Sequence, residues 1–514
     1  MRLENNFAGQ RPRFQRTGSL FLLILWIFFL QSGCAMWPEP TRSVHVGATG
    51  PIGSCADFFT LLDRQVTASD AIDAGYARVE HYPYLRTDRF IASFEDEVED
   101  NRTFATWVDH MQALDQSARR FEIAGLSESN VAALASMKTR DELYDKVVAC
   151  GNLLKNNDFT NSENKARLRR RAAVRDEYIP LRRVLGISPI SDIFVLRGVD
   201  RWHAEARARF SPEPPSNWHA IRYAPVEKPD FLSDPLWLHR IMNRTKRDAL
   251  GIPAYPEEDR RLLFQAHAPL WEVPAQGDFD RIGTPIWTED GRIEVDTGSP
   301  QTYTRLSFTR FGKAILTQLN YVVWFPSRPK EGVMDIYGGL LDGLNYRVTL
   351  DTDGKPILYE TMHNCGCYYK AYPTSRLQVR KTMAYSEPPL IFNAREIDVS
   401  REWMVVAMAP RTHYVNHLYP LPRDFQSNTV DYRLQEYDHL KSLPQTNGNR
   451  KSMFNRYGIV PGSERLERYI LWPTGVLSPG AMRQWGKHAV AFVGQRHFDD
   501  PFYLDRMFRP NHIP

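Results

Sequence analysis

His363, Cys365 and Cys367 put one imidazole and two thiols within five residues, the densest grouping of reactive side chains in the sequence. On an extended strand residues i, i+2 and i+4 point to one face, so the three side chains would share a side and could ligate one ion together. Gly366 permits the tight bend that would let both sulfurs approach the same point. A His/Cys set suits zinc or another borderline metal, with the thiolates forming as the ion binds. His413 and His417 would add ligands only on a helix, where their spacing puts them about 6 Å apart; on a strand the separation is roughly 13 Å. The sequence has no C-x-x-C pair and no H-E-x-x-H, so this spacing is not that of a known zinc finger or metalloprotease.

The same sulfurs admit two other readings. Cys365 and Cys367 would close a small, strained and easily reduced disulfide. Alternatively they are two buried thiols beside a hydrogen-bonded histidine at a sheet edge. Upstream, Cys55 and Cys150 would close a loop of about 95 residues in an oxidising compartment, worth about 2–4 kcal/mol, or remain separately buried thiols. Asp335, Asp342 and Glu360 lie near the His/Cys stretch, where an acid/base pair is conceivable but solvated carboxylates are commoner. Asp351 and Asp353 read as turn residues. The segment 496–501 would add His497 or Asp499 if the tail folds back. No serine nucleophile elbow, Gly-rich phosphate loop, dinucleotide fingerprint or internal repeat appears.

The elements that must position these groups follow from length and pattern. A chain of 514 residues exceeds what one core serves, so two or more domains are expected. With 42% hydrophobic and 25% charged residues most of it should fold, and a net charge of +4 with neither a basic face nor a low-complexity basic run argues against nucleic acid as a partner. The fold class expected is α+β, an N-terminal helical domain followed by a domain with a mostly antiparallel sheet. The divisions are 1–33, a leader; 34–54, a tether; 55–209, helical; 210–298, a Trp/Pro-rich irregular connector; and 299–514, the sheet domain. Helical spacing begins at Ala56 and recurs over 128–154 and 159–174. The last of these carries Arg167, Arg169, Arg170 and Arg171, either a solvated face or one turned to anionic headgroups. Short helices are expected within 235–250 and 259–266. Strand patterns cover 302–308, 312–325, 344–350, 356–362, 396–398 and 401–407. Beyond Pro410 a helix is expected from 462 and a strand over 488–492.

Arg2, Arg11, Arg13 and Arg16 precede an apolar run over 20–30 and then Gln31-Ser32-Gly33-Cys34, the order of a secretory signal. The run would span only about 16 Å as a helix, half of a bilayer core, which disfavours a permanent span. With Cys directly after Ser-Gly, the segment resembles the signal of bacterial lipoproteins, although Gln31 stands where an aliphatic residue is usual. That resemblance implies that Cys34 is lipidated and becomes the N-terminus, and that several acyl chains anchor the body firmly. Ala35, in place of a retaining Asp, implies the outer membrane and its periplasmic face. The function expected is therefore that of an exported, lipid-anchored envelope protein with a binding or scaffolding role, its partner in any case being the membrane. The alternatives are a metal-dependent envelope enzyme using the His/Cys set, or a thiol–disulfide protein using Cys365 and Cys367.

Overall fold

Polar caps and apolar stripes set out the helices of the first 210 residues. The computed structural model describes residues 43–511, apart from 46, 135–138, 216–218, 228, 382–384 and 426–427; Cys34 and the leader lie outside the described residues. Helix α1 (Gly50–Ala68) buries Phe58, Phe59, Leu62 and Val66, spaced to share one side. Helix α2 (Asn101–Ala124) starts at Asp100, whose carboxylate accepts from the N–H groups of Arg102 and Thr103 at 2.7 and 2.9 Å. Helix α3 (Arg140–Asp158) is capped by Thr139, which accepts from the Glu142 N–H at 3.1 Å.

Cys55 of α1 and Cys150 of α3 form a disulfide with Cα atoms 5.2 Å apart, closing a separation of 95 residues. A Cys55→Ala/Cys150→Ala variant should lose about 2–4 kcal/mol of stability. A lower denaturant midpoint, matched by reduced wild-type protein, is the expected result; an unchanged midpoint would contradict it.

Helix α4 (Ser162–Arg171) ties down three of its four arginines locally. Arg167 pairs with Glu163, Arg171 with Glu80, and Arg169 donates to the Val98 carbonyl. The basic run is thus a locally paired surface. Helices α5 (Pro180–Leu185) and α6 (Ser188–Arg209) complete the helical part. Among the described residues no helix is long and apolar enough to cross a membrane.

Eleven strands form the main sheet. In chain order they are β1 (Ile221–Pro225), β2 (Leu270–Val273), β3 (Gln301–Phe311), β4 (Ala314–Arg328), β5 (Gly339–Leu350), β6 (Pro356–His363), β7 (Lys370–Pro373), β8 (Leu390–Ile391), β9 (Glu402–Met408), β10 (Val415–Pro422) and β11 (Val430–Glu436). Their order across the sheet is β8-β7-β6-β5-β4-β3-β11-β1-β2-β9-β10. The hairpin-linked run β3 to β7 is antiparallel, as short loops require. β11 runs parallel to both β3 and β1, and β2–β9 and β7–β8 are also parallel, so the sheet is mixed.

Strands β1 and β2 come from the stretch read as an irregular connector. At five and four residues they are too short to show a period, and they pair deep in the sheet through long-range contacts. Trp271 on β2 is fully buried and donates to Thr302 Oγ1 at 2.9 Å, so this tryptophan is sheet core. Residues 396–398 form no strand, the helix expected from 462 begins only at Glu467, and 488–492 contributes a single bridge, Ala489 to His497.

Alternation on β4 explains how both faces are covered. Leu319, Tyr321, Val323 and Phe325 enter a core with Trp237, Ile241 and Phe264, while Leu316, Val322 and Trp324 enter one with Met482, Trp485 and Tyr503. Ile315 and Phe308 reach the core of the helical part instead, with the Phe308 ring tilted against that of Phe90 at 5.7 Å. Helices and sheet belong to one compact unit.

Candidate functional site

Strand β6 ends at His363, and the chain turns back into β7 through Asn364–Tyr369. The turn is tight: Gly366 N–H donates to the His363 carbonyl at 2.8 Å and His363 N–H to the Cys367 carbonyl at 3.1 Å. Gly366 has φ +94°, and a Cβ there would meet the Ala489 carbonyl oxygen at 2.4 Å, so only glycine fits. This bend breaks the strand alternation that would have put His363, Cys365 and Cys367 on one face. Cys365 enters the apolar core that holds Met482 and Trp485, Cys367 faces a cavity, and His363 turns toward β5.

Both sulfurs are free thiols. The Cys367 N–H lies 3.4 Å from Cys365 Sγ, and hydrogen bonding to Cys365 together with burial pushes the Cys367 thiol well above its ordinary value. A thiol whose thiolate is disfavoured is a poor nucleophile.

His363 meets a different partner. Its Nδ1 lies 3.4 Å from Asp342 Oδ1 on β5, while His413 Nδ1 is 2.8 Å from Asp342 Oδ2. His413 Nε2 lies 3.2 Å from Asp280, and Arg465 is 3.4 Å from Asp342. All these side chains are buried, and Phe325 stacks on the His413 ring at 3.9 Å. Burial opposes charge on Asp342, but the two imidazoles and Arg465 hold its carboxyl well below the usual carboxylate range. Burial pushes His363 down, whereas at His413 the bonds to Asp280 and Asp342 outweigh burial and raise it. The pair at Asp342 is thus asymmetric, with the charged form favoured at His413 and disfavoured at His363.

His417 does not join them. It sits inside β10, opposite Ala407, with Nδ1 3.0 Å from the Glu213 carbonyl oxygen. Strand placement rules out shared ligation with His413. Among the described residues no three His, Cys, Asp or Glu side chains are disposed to hold a metal ion, so the set proposed for zinc does not fit one. His497 pairs with Asp176 at 3.1 Å and Asp499 with Arg89 at 3.0 Å, away from this cluster. Of the nearby carboxylates, Glu360 is a buried structural partner: Arg347 directly across the strands donates to both its oxygens at 2.6 Å, and Tyr369 donates at 2.8 Å. Asp335 accepts from turn N–H groups at the surface, and Asp351 and Asp353 hold their turn and Arg376.

Outward from His363 lie Tyr368 and Tyr414, ring centroids 5.0 and 5.6 Å away, and then a cavity of about 640 Å³. One wall is α6, held over the turn by Trp202, whose ring is 5.4 Å from that of Tyr368. Val195, Val199, Leu390, Ile470 and Val490 give it an apolar lining. Arg328, at the end of β4, brings a cation to these rings, with Arg201 and Arg496 elsewhere on the lining: the Arg328 guanidinium donates to Tyr368 and Tyr414 hydroxyls at 3.3 and 3.2 Å and lies over three rings, the third being Tyr337. Glu467 also faces the cavity, its carboxyl pushed up to about 7 by burial. Arg328 is shared with a second groove of about 480 Å³ that Lys330, Arg465 and Arg468 make basic. Behind the turn, burial pushes Lys370 on β7 down to about 7, its ammonium donating to the Val415 carbonyl.

Backbone strain gathers here as well. Eight described non-glycine residues have positive φ, and four of them lie around this cluster: Leu341 next to Asp342 on β5, and Tyr368, Arg411 and His413 in the loops. Each such conformation costs about 1–3 kcal/mol and persists where surrounding contacts enforce it, a habit of binding and catalytic sites. Reading the sequence missed Arg328, Tyr414, Glu467 and Asp280 because each lies far along the chain. The one local signal was a charged residue, Asp342 or Arg328, near the end of a largely apolar strand stretch. No family model matches the chain, and neither a curated protein nor a solved structure matches it.

Proposed function

We propose that the protein is a lipid-anchored envelope binding protein whose ligand is a small anionic amphiphile held under α6. Arg328 carries the reading. Its guanidinium is met by phenol oxygens and ring faces, and no carboxylate pairs with it among the described residues. An anionic group at that point would supply a charge-assisted partner in a partly desolvated place, where such bonds are strongest. Glu467, half protonated near neutral pH, does not cancel that charge. The apolar lining takes a hydrocarbon portion, and the cavity volume lies within the usual range for small-molecule sites. The lipoprotein-like leader supports an envelope location through acylated Cys34, with outer-membrane sorting as the corresponding proposal.

The competing readings have less support. A zinc enzyme lacks a converging ligand set among the described residues, and thiol–disulfide exchange would start from a half-buried thiol that burial and Cys365 push well above its ordinary value. The test is titration with a dansyl-tagged medium-chain fatty acid. Wild-type protein should enhance its fluorescence saturably, and Arg328→Gln should weaken binding by about ten- to a hundredfold, the worth of a hydrogen bond to a charged group. No saturable binding, or a variant that binds equally well, sinks the proposal.

A further inference from the structure

We infer that the outer face of α5 and α6 docks on an anionic lipid bilayer, bringing the mouth of the cavity to the membrane. Leu181, Val184, Ile187, Ile190 and Ile193 follow one another at three-residue steps with Phe194 next to the last, and all six are more than half exposed, from 52% at Ile193 to 74% at Val184. A helix of a globular protein ordinarily turns its apolar stripe to the core. Here, between Ile190 and Arg209, only Ala206 is buried. Exposed Tyr469 and Ile470 extend the apolar surface, and Phe194 and Ile470 both line the cavity, so the ridge reaches its rim. A contiguous apolar patch of this kind marks an interaction site.

Charge selects the occupant. Residues 180–201 hold four arginines, Arg182, Arg183, Arg197 and Arg201, against Asp192 and Asp200. Arg182 and Arg183 donate to the backbone carbonyls of Val476, Thr474 and Gly494, and Arg197 lies over the Phe194 ring at 5.9 Å. None of the four has an ion pair among the described residues. An apolar ridge flanked by arginines is how a helix lies in the headgroup region of an anionic membrane. A two-fold contact with a second copy would instead set like charges face to face. Acylated Cys34 would stand nine residues before Ser43, a tether reaching at most about 30 Å, so docking would occur at high effective concentration. The inference rests on the binding reading only for what enters the cavity.

Amide hydrogen exchange on the full-length lipidated protein, anchored in vesicles, tests this. Phosphatidylcholine vesicles would be compared with vesicles in which about a third of the lipid is phosphatidylglycerol. Exchange across 187–201 should slow by about tenfold in the anionic vesicles, while peptides of β3 and β4 stay unchanged, and raised salt should remove the difference. Ile190→Asp/Ile193→Asp should abolish the protection yet keep affinity for the fatty-acid probe. Equal exchange in both vesicles overturns the inference, as does protection that rises with protein density whatever the lipid charge, which would mark contact between copies. Docking without probe binding would leave this inference standing and remove the cavity reading; probe binding without docking would do the reverse.

Discussion

An Asp342→Ala variant is expected to lose about 3–5 kcal/mol of stability, the cost of leaving buried charge without its partner. Asp342 is the one carboxylate shared by His363, His413 and Arg465, at 3.4, 2.8 and 3.4 Å. Its removal leaves Asp280 as the remaining carboxylate beside His413 under Phe325, and deprives Arg465 of its only carboxylate partner among the described residues. Denaturant unfolding monitored by tryptophan fluorescence measures the loss, and a change under about 1 kcal/mol would show that the cluster is solvated in practice. The pH dependence has a definite sign. His413 has a raised pKa, so its contribution is complete below the ordinary 6.5 and disappears as pH rises through the higher folded value. Asp342 has a depressed pKa, so its contribution is complete above the ordinary 3.8 and disappears as pH falls through the lower folded value. The pair thus stabilises most between those two ordinary values. The stability gap between wild type and His413→Gln should be widest there and should narrow as the solution becomes alkaline.

A comparable loss, about 3–5 kcal/mol, is expected for Glu122→Ala in the helical part. Glu122 on α2 accepts from Arg86 at 2.8 Å, Arg119 at 3.1 Å and Arg78 at 3.2 Å. Arg86 and Arg119 are fully buried, and Asp63 and Asp115 complete the group. Burial opposes charge on Glu122, yet the three guanidiniums hold its carboxyl down at about 2. At Asp115 burial wins and the carboxyl is raised, which leaves Glu122 as the more firmly ionised of the two. Stability from Glu122 is complete above its ordinary 4.5 and fades as pH falls toward about 2. The wild-type advantage over Glu122→Ala, read from urea midpoints, should therefore shrink in acid. An advantage that stays constant across that range would mean the carboxylate is paired as strongly in the unfolded chain.

The long elements were readable because each repeats its signal over many residues. Alternation placed a strand over 312–325, and β4 occupies Ala314–Arg328; helical spacing over 128–154 and 159–174 falls on α3 and α4 with a shorter helix before them. Elements of four or five residues escaped. β1 and β2 are strands only because β11, β9 and each other supply their hydrogen bonds, while 488–492 has the right residues and no neighbouring strand to pair with.

The His/Cys stretch was legible as a concentration of polar groups, and its turn does border the cavity. Its chemistry was not legible, since the direction of each side chain depended on the bend at Gly366, which buries Cys365 in the core and leaves Cys367 half-buried between that core and the cavity.

Local pattern by itself determined the helical beginning, the sheet that follows and the presence of reactive residues near 363–367, because periodicity and composition act over neighbouring positions. Only the tertiary structure decided that His363 and His413 meet at Asp342 with Asp280 behind His413, that Arg328 and Glu467 face one cavity, and that α6 covers it. Burial and charge pairing join groups more than a hundred residues apart, and no short window of sequence carries that information.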